Sequence, residues 1–210
     1  MRPAGGSSPY EAVLGERMQE LHPRLRAYFA AIPPGWHGWG SGVFDTAGTP
    51  RRWLRPVLRA LHRQGILLAG WQRDVPFTVR NEPGERHTVR AVRCFHLHDG
   101  EWAMVDVIGL NGRGRLIDRL GHAGLVEAEF AADVAGGALR LHSTRVTLCI
   151  GRLRLRVPRF LAPTVLLTER WDDAEERQVI ALTMTAPLLG TLYEYGGSFR
   201  YEVRQGEGQP

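Results

Sequence analysis

The chain has 210 residues, 43% hydrophobic and 23% charged, a balance that fits one globular domain with a sizeable core. Its net charge of +5 comes from arginine alone, because the sequence contains no lysine, which excludes Schiff-base and P-loop lysines and with them aldolase-like, pyridoxal-dependent and P-loop chemistry. Arginines interspersed with acids read as the mark of a GC-rich genome rather than as a nucleic-acid surface, so no nucleic-acid partner is expected.

Residues 1–8 form a Gly/Ser-rich leader, expected to be disordered. They carry no apolar h-region, and no eighteen uncharged apolar residues run together anywhere. Neither a signal peptide nor a transmembrane segment is expected, and the location is read as cytoplasmic. Ser8 and Glu11 make an S-x-x-E capping box with Pro9 at the first helical position, so a helix starts there with Leu14, Met18 and Leu21 on its apolar stripe. Pro23 interrupts, and a second helical run carries Leu25, Tyr28, Phe29 and Ile32 up to Pro33-Pro34-Gly35.

The segment GWHGWGSGVFD, residues 35–45, mixes Trp36, Trp39 and Phe44 with four glycines. This density points to a bent or bulged strand approached closely by another backbone. Thr49 and Pro50 open a basic amphipathic helix in which Trp53, Leu54, Val57, Leu58 and Leu61 share a face opposite Arg52, Arg55, Arg59 and Arg63. Packing on a sheet with a solvated arginine face is the expected role; a membrane surface or partner is the alternative.

From residue 71 onward the chain reads as strands. A hairpin over residues 74–97 turns at Asn81-Glu82-Pro83-Gly84, and runs follow at 101–110, 116–121, 124–131, 138–150, 152–157, 165–171, 178–186 and 191–203. In LCIGRLRLRVPRFLAP, residues 148–163, Leu153, Leu155 and Val157 alternate with Arg152, Arg154 and Arg156. Strict alternation predicts a half-buried strand with its leucines on a core, ended by Pro158 and Pro163 in a corner around Phe160 and Leu161. Cys94 and Cys149 lie on separate strands and read as core thiols, with a disulfide between them left open.

Strands at regular spacing with no long helix between them indicate an α+β, mostly β domain: a strongly curved antiparallel sheet or lipocalin-like barrel, with helices at its N-terminal side. The expected organisation is a leader at 1–8, one domain over 9–203 and a polar tail at 204–210.

The stretches SPYEAVLGERMQELHPRLRAYF, ILLAGWQRDVPFTV, GRLRLRVPRFLAPTVLLTERW and APLLGTLYEYGGSFRYEV, in that order, resemble an uncharacterised, mostly actinobacterial domain-of-unknown-function family. That family occurs alone or behind saccharopine-dehydrogenase-like domains. The resemblance implies one β-rich domain with helices at its front; it implies no reaction and supplies no catalytic residues. Residues 86–112 depart most from the pattern.

Five residues, His96, Asp106, Arg145, Tyr193 and Tyr195, are candidates for chemistry. His96 and His98 form an H-x-H pair that, with a third ligand such as Asp106 or His142, suits a metal; no spaced Cys/His cluster completes it, and neither a metal nor another cofactor is expected. Arg145 could hold an acidic ligand, against a plain polar outer face. Tyr193 and Tyr195 share a strand face and could orient a ligand or act as acids, against a role as core aromatics. Trp36, Trp39, Phe44 and Trp102 are candidate ligand-contacting aromatics. No dinucleotide fingerprint, H-E-x-x-H or G-x-S-x-G occurs.

The reading these features favour is a barrel holding a small apolar or amphipathic molecule. A cofactor-free cyclase or isomerase on a hydrophobic natural-product-like substrate is the alternative, and convergence of candidates on one pocket would mark it. The third reading is an interaction module built on the strand and helix arginines.

Overall fold

The cap at Ser8 starts the first helix where the sequence places it. The computed structural model describes residues 6–158 and 162–206, so most of the leader, the corner at Phe160 and Leu161, and the last four tail residues lie outside the described residues. Helix α1 spans Pro9–Leu14, with the Glu11 N–H donating to Ser8 Oγ at 3.0 Å and the Ser8 N–H donating to Glu11 Oε2 at 2.6 Å. A 3₁₀ turn, Gly15–Glu20, leads to α2, Pro23–Phe29. Ser8 Oγ also donates to the Phe29 carbonyl, tying the start of α1 to the end of α2. Helix α2 stops three residues short of Ile32 because the Ala31 N–H leaves the helical ladder and donates to Glu11 Oε2 at 3.1 Å.

Among the described residues eleven strands follow: β1 Trp36–Gly48, β2 Trp71–Pro83, β3 Val89–Leu97, β4 Gly100–Leu110, β5 Leu116–Leu120, β6 Val126–Ala135, β7 Ala138–Ile150, β8 Leu153–Arg156, β9 Thr164–Asp172, β10 Arg177–Ala186 and β11 Gly190–Gln205. All pairings are antiparallel, in the order β6-β5-β4-β3-β2-β1-β11-β10-β9-β7, and β7 pairs back onto β6. Ten strands therefore close a barrel, which leaves no open edge in the ring. The tail residues Arg204 and Gln205 belong to β11.

The glycines of β1 permit the closure. The inner face between β1 and β11 is crowded, and a Cβ on Gly42 would lie 2.1 Å from the Ser198 carbonyl oxygen, while one on Gly38 would overlap the Tyr201 hydroxyl. The expected bulge is at Asp45, where the pairing of β1 with β11 shifts between Phe44 and Thr46.

Two apolar clusters seal the two ends. Around α1 and α2, Leu14, Met18, Leu21, Leu25 and Phe29 pack on Leu116, Val134, Leu139 and Leu141. The opposite end is closed by the β1–β2 connection, which contains a 3₁₀ turn, Arg52–Leu54, and helix α3, Arg55–Arg63. Beyond α3 the chain crosses the barrel mouth: Gly65 accepts from the Val105 N–H on β4 at 3.0 Å, and the Leu68 N–H donates to the Tyr193 hydroxyl on β11 at 3.1 Å. Ile66 and Leu68 are thereby buried in a cluster with Phe44, Phe77, Phe95 and Phe199. Among the described residues no helix is long and apolar enough to cross a membrane.

Three local expectations change. Strand β8 is exposed on both faces, with Leu153 at 54% and Leu155 at 45%, because β8 and β9 share one edge of β7 and β8 extends past the ring with no layer beneath it among the described residues. On α3 the buried stripe is Leu54, Leu58 and Leu61, whereas Trp53 and Val57 point outward. Residues at i, i+4 and i+7 take the inward face, which leaves the two positions just before 54 and 58 on the flank. Both cysteines are free thiols, half-exposed rather than core.

Replacing Gly42 by alanine sets a Cβ against backbone that cannot yield without parting β1 from β11. Thermal or urea unfolding should show a loss of about 3 kcal/mol or more. The same change at Gly112, where nothing lies within 4 Å of the added carbon, should be neutral.

Candidate functional site: a polar belt in the barrel lumen

Between the two apolar plugs, four strands each place a charged residue on the inward face. Arg93 stands between Ala91 and Phe95 on β3, Asp106 between Met104 and Ile108 on β4, and Asp118 between Leu116 and Leu120 on β5. Glu169 follows Val165 and Leu167 on β9. Period-two geometry sends alternate residues to one face, so each charge occupies a phase otherwise held by apolar side chains.

They surround a cavity of about 110 Å³ whose wall is mostly apolar, including Ile66, Met104, Phe130, Leu141, Leu167 and Met184. Tyr10 and Tyr28 enter it from α1 and α2, and Tyr195 enters from β11. Arg93 forms an ion pair with Asp106 Oδ1, and Asp106 is only 1% exposed. Glu169 Oε2 accepts from the Gln178 amide. Two carboxyl oxygens, Asp106 Oδ2 and Asp118 Oδ1, are buried with no hydrogen-bond partner among the described residues, although buried polar atoms are ordinarily satisfied.

One guanidinium faces three carboxyls, so the charges do not balance. Burial disfavours a charged Arg93, and the neighbouring carboxylates, Asp106 foremost, outweigh it and hold the guanidinium protonated. Burial lifts Asp106 above the usual carboxylate range, with Arg93 pulling it back. Asp118 is pushed well up by burial and by the charge of Asp106. Burial also raises Glu169 to about 7, against the pull of Arg93 and the Gln178 hydrogen bond. Tyr10 and Tyr28, buried near these acids, are held as neutral hydroxyls. The belt can thus accept or donate hydrogen bonds and hold or release a proton near neutral pH.

Of the residues singled out in the sequence, Asp106 and Tyr195 meet in this cavity. Tyr193 is buried but serves the plug, its hydroxyl accepting from Leu68. Arg145 lies on the outer wall 3.3 Å from Glu129, beside a groove of about 310 Å³ lined by His142–Val146 and 162–164. His96 is also outside, where its Nδ1 sits 3.0 Å from Glu101 and the Cys94 thiol lies 3.6 Å from the same carboxylate. These three groups keep their ligand atoms within 4.8 Å of one another, and neither His98, Asp106 nor His142 joins them. None of the four aromatic candidates lines the lumen: Trp36 is exposed, Trp39 carries Arg204 over its ring at 5.4 Å, Phe44 stacks on Phe77 in the core, and Trp102 stacks on His62 while donating to its carbonyl. Arg93, Asp118, Glu169, Tyr10 and Tyr28 were not singled out; the legible signal was a charge at an apolar phase of its strand.

Residues 21–199 match the family model described as a domain of unknown function, DUF4166. The chain belongs to the DUF4166 family. All of the belt's strand residues lie within the matched span, while Tyr10 precedes it. The uncharacterized protein YndH of Bacillus subtilis (strain 168) is 25% identical to this DUF4166 chain over 198 residues, covering 88% of the chain and 93% of YndH. No solved structure matches it.

Glu169 gives the belt a pH signature. Its folded pKa is raised from 4.5 to about 7, so between these values the folded protein holds a proton that the unfolded chain releases, and stability falls as pH rises through the window. Comparing unfolding at pH 5 and pH 7.5, Glu169→Gln should remove about 2 kcal/mol of the wild-type decline. Arg93→Met, which strands Asp106, should cost about 3 kcal/mol at pH 7.5 and less at pH 5, where the acid can protonate.

Proposed function

We propose that the barrel binds a small amphipathic molecule in its lumen, its apolar body against the leucines and methionines and a polar group on Asp106 and Asp118. The observation that carries this reading is the pair of buried carboxyl oxygens, without partners among the described residues, on two residues that line a mostly apolar cavity. An unsatisfied buried acceptor is costly, and a ligand that satisfies it recovers that cost as affinity. Size limits the occupant: an engineered cavity of roughly 150 Å³ holds benzene, so the enclosed part of the ligand is about one ring. A longer molecule requires α1 and α2 or the 64–68 plug to shift.

A second reading, cofactor-free acid–base catalysis on such a molecule, is favoured by the convergence of Asp106, Tyr195 and Glu169. A carboxyl titrating near neutrality can take a proton from one substrate atom, and a neutral acid can donate to another. Cyclisation or isomerisation of a hydrophobic natural-product-like substrate needs no more than this.

Native mass spectrometry of the protein isolated from its own host tests binding. The expected result is a stoichiometric adduct of a small amphipathic compound, absent from Ala91→Leu, whose longer side chain occupies the lumen, and weakened in Asp118→Leu. A protein that carries no adduct and takes up none from a host lipid and metabolite extract would overturn the reading. Consumption of the identified compound, lost in Glu169→Gln, would promote the second reading over the first.

A further inference from the structure

The end of the barrel closed by α3 combines a one-signed charge with exposed apolar side chains. No acid occurs between Asp45 and Asp74, an interval that includes Arg51, Arg52, Arg55, Arg59 and Arg63. All five are exposed, and among the described residues none forms an ion pair, whereas the wall arginines Arg80, Arg119, Arg145 and Arg170 each lie within 3.3 Å of a carboxylate. Among the described residues, the helix cations are thus left without an acidic partner.

Amid them stand Trp53 and Val57, each 57% exposed and four residues apart, hence on one side of the helix. The β10–β11 turn adds Leu188, fully exposed, and Leu189. This turn is fastened to the start of α3 by Arg51, which donates to the Leu189 carbonyl at 3.0 Å and the Thr191 carbonyl at 3.2 Å. Leu188 stands in the left-handed region, φ 64°, so a strained tip holds an apolar side chain outward.

We infer that this end docks on an anionic membrane surface, with Trp53, Val57, Leu188 and Leu189 entering the headgroup–acyl boundary and the arginines meeting lipid phosphates. Charge complementarity selects the occupant: five exposed arginines clustered at and before α3, with no ion pair among the described residues, suit an anionic leaflet, and tryptophan suits its interface. The apolar groups protrude instead of lining a groove, which fits a soft apolar layer better than a partner helix. Trp53 is a single aromatic ring among these arginines, short of the series of stacking platforms that a track of single-stranded RNA bases requires. This inference goes beyond the lumen reading and does not depend on it.

The test uses the full chain and sedimentation with vesicles of equal parts phosphatidylglycerol and phosphatidylcholine, or of phosphatidylcholine alone. Binding is expected to the anionic vesicles and to weaken as salt rises. Each of Arg55→Gln and Arg59→Gln should lower partitioning about fivefold, and Leu188→Ser should lower it further with an unchanged circular dichroism spectrum. Brominated acyl chains should quench tryptophan fluorescence in the wild type, and Trp53→Phe should bind without that quenching. The inference is overturned by absence of sedimentation at low salt, by binding that neither Leu188→Ser nor bromination affects, or by capture on an RNA oligonucleotide without retention on vesicles.

Discussion

The structure turns on a buried charge imbalance. Arg93 pairs with one oxygen of Asp106 and leaves the other without a partner among the described residues, while Asp118 and Glu169 share the same enclosed space. Removing ionised groups from water is expensive unless each is paired, so the surplus acids respond by retaining protons. That response is what makes the lumen chemically distinct from an ordinary core. A barrel intended only for stability would gain from apolar residues at these four positions, and the inward positions beside them on the same strands, such as Ala91, Phe95, Met104, Leu116 and Leu167, are apolar.

Closure of the barrel is the condition that sustains the imbalance. Ten antiparallel strands surround the belt, α1 and α2 cap one end, and the 64–68 crossing caps the other. Each plug is secured by polar contacts as well as apolar packing: the Ser8 bond to Phe29 on one side, and the Leu68 bond to Tyr193 on the other. The close approach of β1 to β11, possible only because Gly38 and Gly42 lack side chains, completes the ring. The same end caps determine access, since anything entering the lumen must pass α1 and α2, the crossing segment or the wall. The lipid-facing end inferred for α3 lies on the side of that crossing segment, whose Ile66 and Leu67 reach the cavity.

Most of the architecture could be read from the chain because strand alternation and turn residues are local signals. The S-x-x-E cap and the glycine-rich bulged strand fold as their patterns imply, and strands do follow residue 71, although Asn81, Glu82 and Pro83, a turn by sequence, extend β2 and pair with Ala91, Arg90 and Val89. What could not be read were matters of assembly. Alternation in Leu153 and Leu155 states that two faces differ, not that a layer covers one, and β8 runs past the place where the barrel wall ends. Trp53 and Val57 match an apolar helix pattern but flank the stripe that is buried. The belt itself was half visible: Asp106 and Tyr195 were noticed as reactive residue types, while Arg93, Asp118 and Glu169 were passed over. Their partnership depends on which strands close the ring, and β5 meets β9 across the lumen only after some fifty residues of intervening chain have folded.

The most direct measurement is a carbon-13 NMR titration of the aspartate and glutamate carboxyls in the full chain. If the lumen holds its acids buried and incompletely paired, the resonances of Asp118 and Glu169 should titrate well above those of exposed carboxylates, with Glu169 near pH 7. Glu169→Gln should delete the transition near pH 7. Ordinary titration of all three lumen carboxyls would contradict the account, since it would mean that water reaches them and that no enclosed polar site awaits a ligand.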